Sequence, residues 1–172
     1  MKLSELLEIK PGITALIGGG GKTTLMYRLA AELREKGSVL LCTTTKIWPP
    51  EHLTVVQDAE SLRAALAEHG IACAGTPTVQ GKLTEPSFPW QQAADYILVE
   101  ADGSAGRPMK AHEKHEPVLP EKCRNTILVL GADGFGKPIR AAAHRPSLYA
   151  HVAGVTEEHL VTAALAAKVI CC

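Results

Sequence analysis

A three-layer α/β domain with a mainly parallel sheet is what this sequence predicts, on three observations. Four short runs, 13–17, 39–42, 96–100 and 126–130, are apolar almost throughout, as strands covered on both faces of a parallel sheet are. Stretches with apolar residues at helical spacing lie between them, which is the alternation such sheets require. Each run ends in a loop carrying glycines or hydroxyls, and in open parallel sheets ligands bind at the carboxyl ends of the strands. The loops 18–24, 43–48, 101–109 and 131–137 are therefore expected to meet on one edge.

From the amino end, Leu3 to Ile9 has helical spacing with Ser4 as its cap, and Lys10-Pro11-Gly12 turns the chain into the first strand, Ile13 to Ile17. Leu25, Leu29 and Leu33 recur every four residues, so a helix runs from near Lys22 to Lys36, with Gly37 as its stop. Val39-Leu40-Leu41-Cys42 is the second strand, joined to the first by that helix. Asp58 caps a helix that reaches His69, with Leu62 and Leu66 on its buried face and Gly70 ending it. Ile71 to Gly75 reads as a short strand, and the prolines and polar residues of 76–90 as an excursion from the sheet. The strands 96–100 and 126–130 follow, and Val155-Thr156-Glu157-Glu158-His159 opens a last helix with Thr156 as cap.

A chain of 172 residues suits one domain with a real core. Lys plus Arg and Asp plus Glu number 18 each, a balance that gives no support for nucleic acid or an anionic membrane as partner. No apolar run approaches the roughly 20 residues of a membrane span. The start Met1-Lys2-Leu3-Ser4-Glu5 is unlike a secretory signal, so the expected compartment is the cytoplasm. Cys42, Cys73, Cys123, Cys171 and Cys172 show no Cys-x-x-Cys spacing. They read as free thiols, with Cys42 and Cys73 acting as small buried hydrophobes.

The chemistry centres on Gly18-Gly19-Gly20-Gly21-Lys22-Thr23-Thr24, which follows the first strand and opens a helix. Glycines let successive N–H groups converge on an anion, and the helix start adds the positive end of its dipole. In such a cradle Lys22 reaches the β- and γ-phosphates and the Thr23 hydroxyl faces Mg²⁺. The expected fold is accordingly P-loop NTPase-like, and the expected ligands are Mg²⁺ with ATP or GTP. The longer pattern G-x-x-x-x-G-K-[ST] would need glycine at position 16, where Leu16 stands. The shorter form present resembles the loop of ATP-dependent Mur-type ligases as much as that of GTPases.

Glu100 and Asp102 close an apolar run, where a carboxylate beside a phosphate loop holds Mg²⁺ directly or through water. Either could be the metal ligand. Asp102 with Gly103 and Gly106 also suits a loop that senses the γ-phosphate. Thr43-Thr44-Thr45-Lys46 offers hydroxyls and a cation to phosphate oxygens, although β-branched residues also simply favour strands. Arg107 and Lys110 are candidates for a γ-phosphate or an anionic second substrate, His112 and His115 with Glu113 and Glu116 for a metal, and Arg145 for the same edge. The 133–138 loop, Asp133 to Pro138, could flank the base or a second substrate, or be a glycine-held turn.

Together GGGGKTT at 18–24, TTTK at 43–46, VEADGSAGRPMK at 99–110, HEPVLP at 115–120, GADGFGKP at 131–138 and HRP at 144–146 resemble one family, the selenium-dependent hydroxylase accessory proteins, also called the YqeC family. The resemblance implies a nucleotide-binding protein linked to maturation of selenium-dependent molybdenum hydroxylases, with such a hydroxylase or its cofactor-maturation proteins as partner. Family members continue past the helix near Thr156 into a further strand with an Asn-Lys-x-Asp-like segment that reads guanine, whereas this sequence stops at Ile170-Cys171-Cys172. The expectation is thus a single nucleotide-binding domain over 1–172 lacking the C-terminal part of the family, with a sheet edge open to homodimerisation. The functional expectation is a Mg²⁺-dependent nucleoside triphosphatase. Catalysis would fall to Lys22, Asp102 and Glu100, nucleotide contacts to Gly18–Thr24, Thr44, Thr45, Lys46, Gly103 and Arg107, and metal to Thr23, Asp102 and Glu100. The alternatives are a non-hydrolysing nucleotide-dependent switch and a Mur-like ATP-dependent ligase.

Overall fold

The computed structural model describes residues 1–171. Helix α1 (Leu3–Leu6) precedes strand β1 (Gly12–Gly18), the glycine loop, helix α2 (Lys22–Leu33) and strand β2 (Val39–Thr43). The short β3 (Val55–Val56), helix α3 (Ala59–His69) and β4 (Ile71–Ala74) come next, then a two-stranded excursion, β5 (Thr76–Pro77) with β6 (Leu83–Thr84). Strand β7 (Tyr96–Glu100) returns to the main sheet, followed by β8 (Met109–Lys110) and β9 (Cys123–Val129). A small annex of α4 (Ile139–Ala142), β10 (Ala143–His144), α5 (Pro146–Ala153) and α6 (Ala163–Ile170) completes the described chain.

The main sheet has the order β3-β4-β2-β7-β1-β9, and every pair in it is parallel. Period-two alternation divides its side chains between two cores. Leu16, Val39, Leu41, Tyr96 and Leu98 face α2, where Met26, Leu29 and Leu33 cover them. Ile13, Leu40, Cys42, Ile97 and Val99 face the other way, against Leu62 of α3 and Trp90. This is a three-layer α/β domain. A third cluster, Met109, Ile139, Ala142, Tyr149 and Val161, holds the annex together. Burial pushes the Cys73 thiol up to about 12 and that of Cys42 well above its usual value, so both are inert apolar filling. No helix of the described residues is long and apolar enough to cross a membrane.

Several local expectations hold. Asp58 caps α3 by accepting from the Ser61 N–H at 2.8 Å, and Gly70 closes it in the left-handed region at φ 69°. Others need correction. Ser4 does not cap α1; Lys2 occupies that position, and the buried Ser4 instead donates its N–H to Glu32. The helix α2 ends at Leu33 and only a turn continues to Gly37. The α2 crossover joins β1 to β2 as expected, and strand β7 lies between them in the sheet.

The helix expected to open at 155–159 is absent. Thr156 and His159 form one isolated turn through their side chains, and Val161 then pairs with Gly136 and Lys137, which pulls the chain out of helical geometry. The helices lie on either side of it. Pro146 at the first turn and Gly154 at φ 73° bound α5, while the Thr162 hydroxyl accepts from the Leu165 N–H to start α6. Strands β3, β8 and β10, of two residues each, carry too little pattern to be read in advance.

Truncating Leu98, fully buried at the centre of β7, is expected to cost about 2–5 kcal/mol in denaturant unfolding as Leu98→Ala. Asp58→Ala should cost about 1 kcal/mol through the lost cap. Equal losses for the two would contradict the packing described.

Candidate functional site

The register of β7 decides which side chains reach the glycine loop. Glu100 lies opposite Leu16 of β1 and Thr43 of β2, and it shares a face with Tyr96 and Leu98, the face that α2 covers. Its carboxylate therefore points at the start of α2, where the Thr23 hydroxyl donates to Glu100 Oε2 at 2.9 Å. Burial raises the Glu100 carboxyl above its usual value, against the opposing pull of Lys22 and the Thr23 hydrogen bond.

Asp102, two residues on, sits at the mouth of the loop. Its Oδ2 accepts from the Gly18 N–H at 2.7 Å, and Lys22 Nζ lies 3.1 Å from Oδ1, with both side chains nearly free of solvent at 3% and 0% exposure. Oδ1 has no hydrogen bond of its own, so the lysine charge is what satisfies it. His112 Nε2 is 2.6 Å from Oδ2, and Lys110 Nζ is 3.6 Å away. Burial alone would raise the Asp102 carboxyl; the His112 hydrogen bond, Lys22, the Gly18 N–H and Lys110 outweigh it and bring it to about 2. A carboxylate so held can only accept, so His112 donates from Nε2.

Behind this pair runs a chain of charges. Lys110 donates to the Gly103 carbonyl at 2.6 Å and meets Glu116 Oε1 at 3.1 Å. Arg145 grips Glu116 with two N–H groups and lies 2.9 Å from Glu113. Burial would lift Glu116, but the Arg145 and Lys110 hydrogen bonds bring it to about 2.

The loop itself keeps its donors free. The Gly19 N–H is used by Val129 O, and the helix ladder begins with Leu25 N–H on Gly21 O. Among the described residues no acceptor takes the N–H groups of Gly20, Gly21, Lys22, Thr23 or Thr24. Gly21 adopts φ 98°, and a Cβ on Gly19 would stand 1.8 Å from Pro108 O, so side chains are excluded where the backbone must wrap. Lys22 folds back over this turn, donating to Gly18 O at 2.8 Å and Gly19 O at 3.1 Å.

Three of the four strand-end loops meet, since Pro108 touches Gly19 and accepts from the Gly131 N–H, while the 43–48 loop joins the end of β7 through the Thr44 N–H on Glu100 O. The predicted contacts within them differ in kind. Thr44 donates to Val118 O, Thr45 packs on Thr43, Lys46 is exposed, and Arg107 is turned outward to Ala141 O. Gly103 gives its carbonyl to Lys110. His112 and His115 do not share a site: the first binds Asp102 and the second stands in solvent near Glu113. Asp133 pairs with Lys137 in an exposed turn. No group of three or more His, Cys, Asp or Glu side chains among the described residues is placed to hold a metal. A cleft of about 660 Å³ beside Leu62, Arg63 and Gln92 has no residue of the glycine loop in its lining.

Sequence reasoning missed the tie of His112 and Lys110 to Asp102. The signal was their i, i+2 spacing after Asp102, which on an extended return puts both on one face.

Fold and site define a parallel α/β domain with a glycine loop between its first strand and first long helix, flanked by two strand-end acids. The family profile described as YqeC protein matches residues 14–147, and the chain belongs to that family. It is similar to the uncharacterized protein YqeC of Escherichia coli (strain K12), 35% identical over an alignment of 162 residues that covers 87% of this chain. The chain spans about 63% of the length of that relative. No solved structure matches it.

Two consequences in acid and at neutral pH follow. Asp102 and Glu116, both held near 2, contribute stability that is present above the ordinary carboxylate range and lost as pH falls from about 4 towards about 2. Glu116→Gln should flatten that decline in circular dichroism melts. Glu100 has the opposite sign, its raised carboxyl costing stability as pH rises through it. Glu100→Gln is therefore expected to melt higher than the parent at pH 7, and a lower melting temperature would contradict the cost of burying this carboxylate.

Proposed function

We propose that this domain binds a nucleoside triphosphate with Mg²⁺ and hydrolyses it or transfers its phosphoryl group. The observation that carries the reading is the run of five unpartnered amides, Gly20 to Thr24, opening next to Lys22 and the Thr23–Glu100 pair. Unpaired main-chain donors at a helix start are a ready anion cradle. The donor set also fits the cation. Thr23 and Glu100 offer two hard oxygens side by side, and Mg²⁺ is held by one or two protein oxygens with waters and phosphates filling the rest. When bound, the metal would supply charge for the β- and γ-oxygens.

The chain's own groups divide the work. The amides of Gly20–Thr24 cradle phosphate oxygens. Lys22, anchored at Gly18 O and Gly19 O, has only to leave Asp102 to reach them and offset charge on the transferred group. Glu100 with Thr23 is the metal side, in preference to Asp102, whose oxygens are taken by the Gly18 N–H, Lys22 and His112. Whether the site turns over alone or only as a docked switch bears on the same geometry, because Lys22 is engaged by an internal carboxylate. A selenium-dependent molybdenum hydroxylase, or a protein maturing its cofactor, is the proposed partner, on the family resemblance.

Calorimetry with ATP and GTP, with and without Mg²⁺, tests the reading. Lys22→Ala should abolish most of the binding and lower turnover by roughly a hundredfold or more. Glu100→Gln should keep metal-free binding and lose the gain that Mg²⁺ gives. Retained hydrolysis in the lysine variant, or no binding of either nucleotide by the parent protein, would reject it. Single-turnover hydrolysis with and without a candidate hydroxylase separates enzyme from switch.

A further inference from the structure

Asp102 accepts from the Gly18 N–H and faces Lys22 at 3.1 Å, so a full negative charge already stands at the entrance of the cradle. The segment that follows it, 103–108, crosses the glycine loop. Pro108 is seated on Gly19, and a Cβ on Gly20 would come within 3.4 Å of Pro108 Cα and 3.5 Å of Arg107 O. Between its anchors, Gly103 O on Lys110 and Arg107 on Ala141 O, the strap has an open turn. Ala105 and Gly106 both adopt positive φ, 49° and 74°, side by side in an exposed turn, and Gly103 and Gly106 have open space where a Cβ would be. At its far end the strap is fixed by β8, which pairs with β10. One segment thus carries the acid that holds Lys22 and the backbone that covers the loop.

We propose that Asp102 is an internal anion that holds Lys22 in the ligand-free protein, and that a polyphosphate binds by taking Lys22 from it, loosening the 103–108 strap over the glycine loop. The inference rests on the nucleotide reading above and adds its regulation: affinity is set by a competition between a carboxylate and a phosphate for one ammonium. A site whose competent form is populated only in part shows an affinity reduced by that fraction, and removing the competitor restores it. Lys22 need not travel far, since Gly18 O and Gly19 O keep its other donors in place. Asp102 is not stranded by the exchange, because His112, Lys110 and the Gly18 N–H remain with it.

The test is Asp102→Asn, whose amide oxygen can still accept from Gly18 while the charge is gone. Binding of inorganic tripolyphosphate, ATP and GTP is measured without Mg²⁺, so that any metal role of the residue does not enter. The variant should bind about tenfold more tightly than the parent. Its Lys22 should also be acylated faster by an amine reagent in the absence of any ligand. Binding by the parent with equal or weaker binding by the variant overturns the competition and leaves the nucleotide reading standing. No binding of any probe by either protein overturns both.

A measurement on the parent protein covers the case in which the variant does not fold. Hydrogen exchange of the 103–107 amides should speed up when ATP or tripolyphosphate is added, because the strap loses the Lys22 contact at its Asp102 end. Unchanged or slower exchange in a protein that has bound the probe rejects the proposal.

Discussion

A carboxylate sealed at the end of a central strand must be matched by positive charge or by donors, and the carboxyl edge of this sheet is arranged around Asp102 for that reason. The Gly18 amide comes from the strand alongside, Lys22 from the first turn of α2, and Lys110 and His112 from the return through β8. Lys110 in turn needs Glu116, and Glu116 needs Arg145 at the head of α5. A single buried acid therefore links the glycine loop to the annex. Removing its charge takes from Lys22 its carboxylate partner and leaves Lys110 with Glu116 alone, which is why this network matters to the fold as well as to the loop.

Glu100 and Asp102 stand two residues apart on one extended path and still have different environments. Glu100 ends the strand under α2, meets one hydroxyl, and is raised by burial. Asp102 has left the strand and is surrounded by donors and cations, which hold it ionised far into acid. A carboxyl that is raised by burial and has a hydroxyl beside it gains most from an incoming cation. One already surrounded by cations gains least. That contrast assigns the metal side to Glu100 in the proposed mechanism and the lysine to Asp102 in the ligand-free state.

The strand order is what brings these groups together. With β7 between β1 and β2, the acids lie directly beside the strand that feeds the glycine loop, and Thr43 can donate to the Glu100 carbonyl from the other side. The annex adds a second layer. Its apolar cluster around Tyr149 and Ile139 fixes β8 and β10, and through them Lys110 and Arg145.

Read alone, the sequence determined the α/β class, the three central strands, the capped helix after Asp58, and the position of the glycine loop at a strand-to-helix junction; the fourth run, read as a buried strand over 126–130, is the partly exposed edge strand Cys123–Val129. These are local matters. Apolar runs, 3.6-residue spacing and glycine at special φ act within a few residues, and they survive without knowledge of neighbours. The turn at Thr156 misled because a cap pattern signals only that a helix could begin, whereas the pairing of Val161 with Lys137 decides that it does not. Tertiary structure alone decided that β7 inserts between β1 and β2, that Arg107 turns away from the loop, and that His112 and Lys110 belong to Asp102. The physical reason is that partner choice for a buried charge depends on which segments the sheet order brings within a few ångströms, and spacing along the chain does not carry that distance.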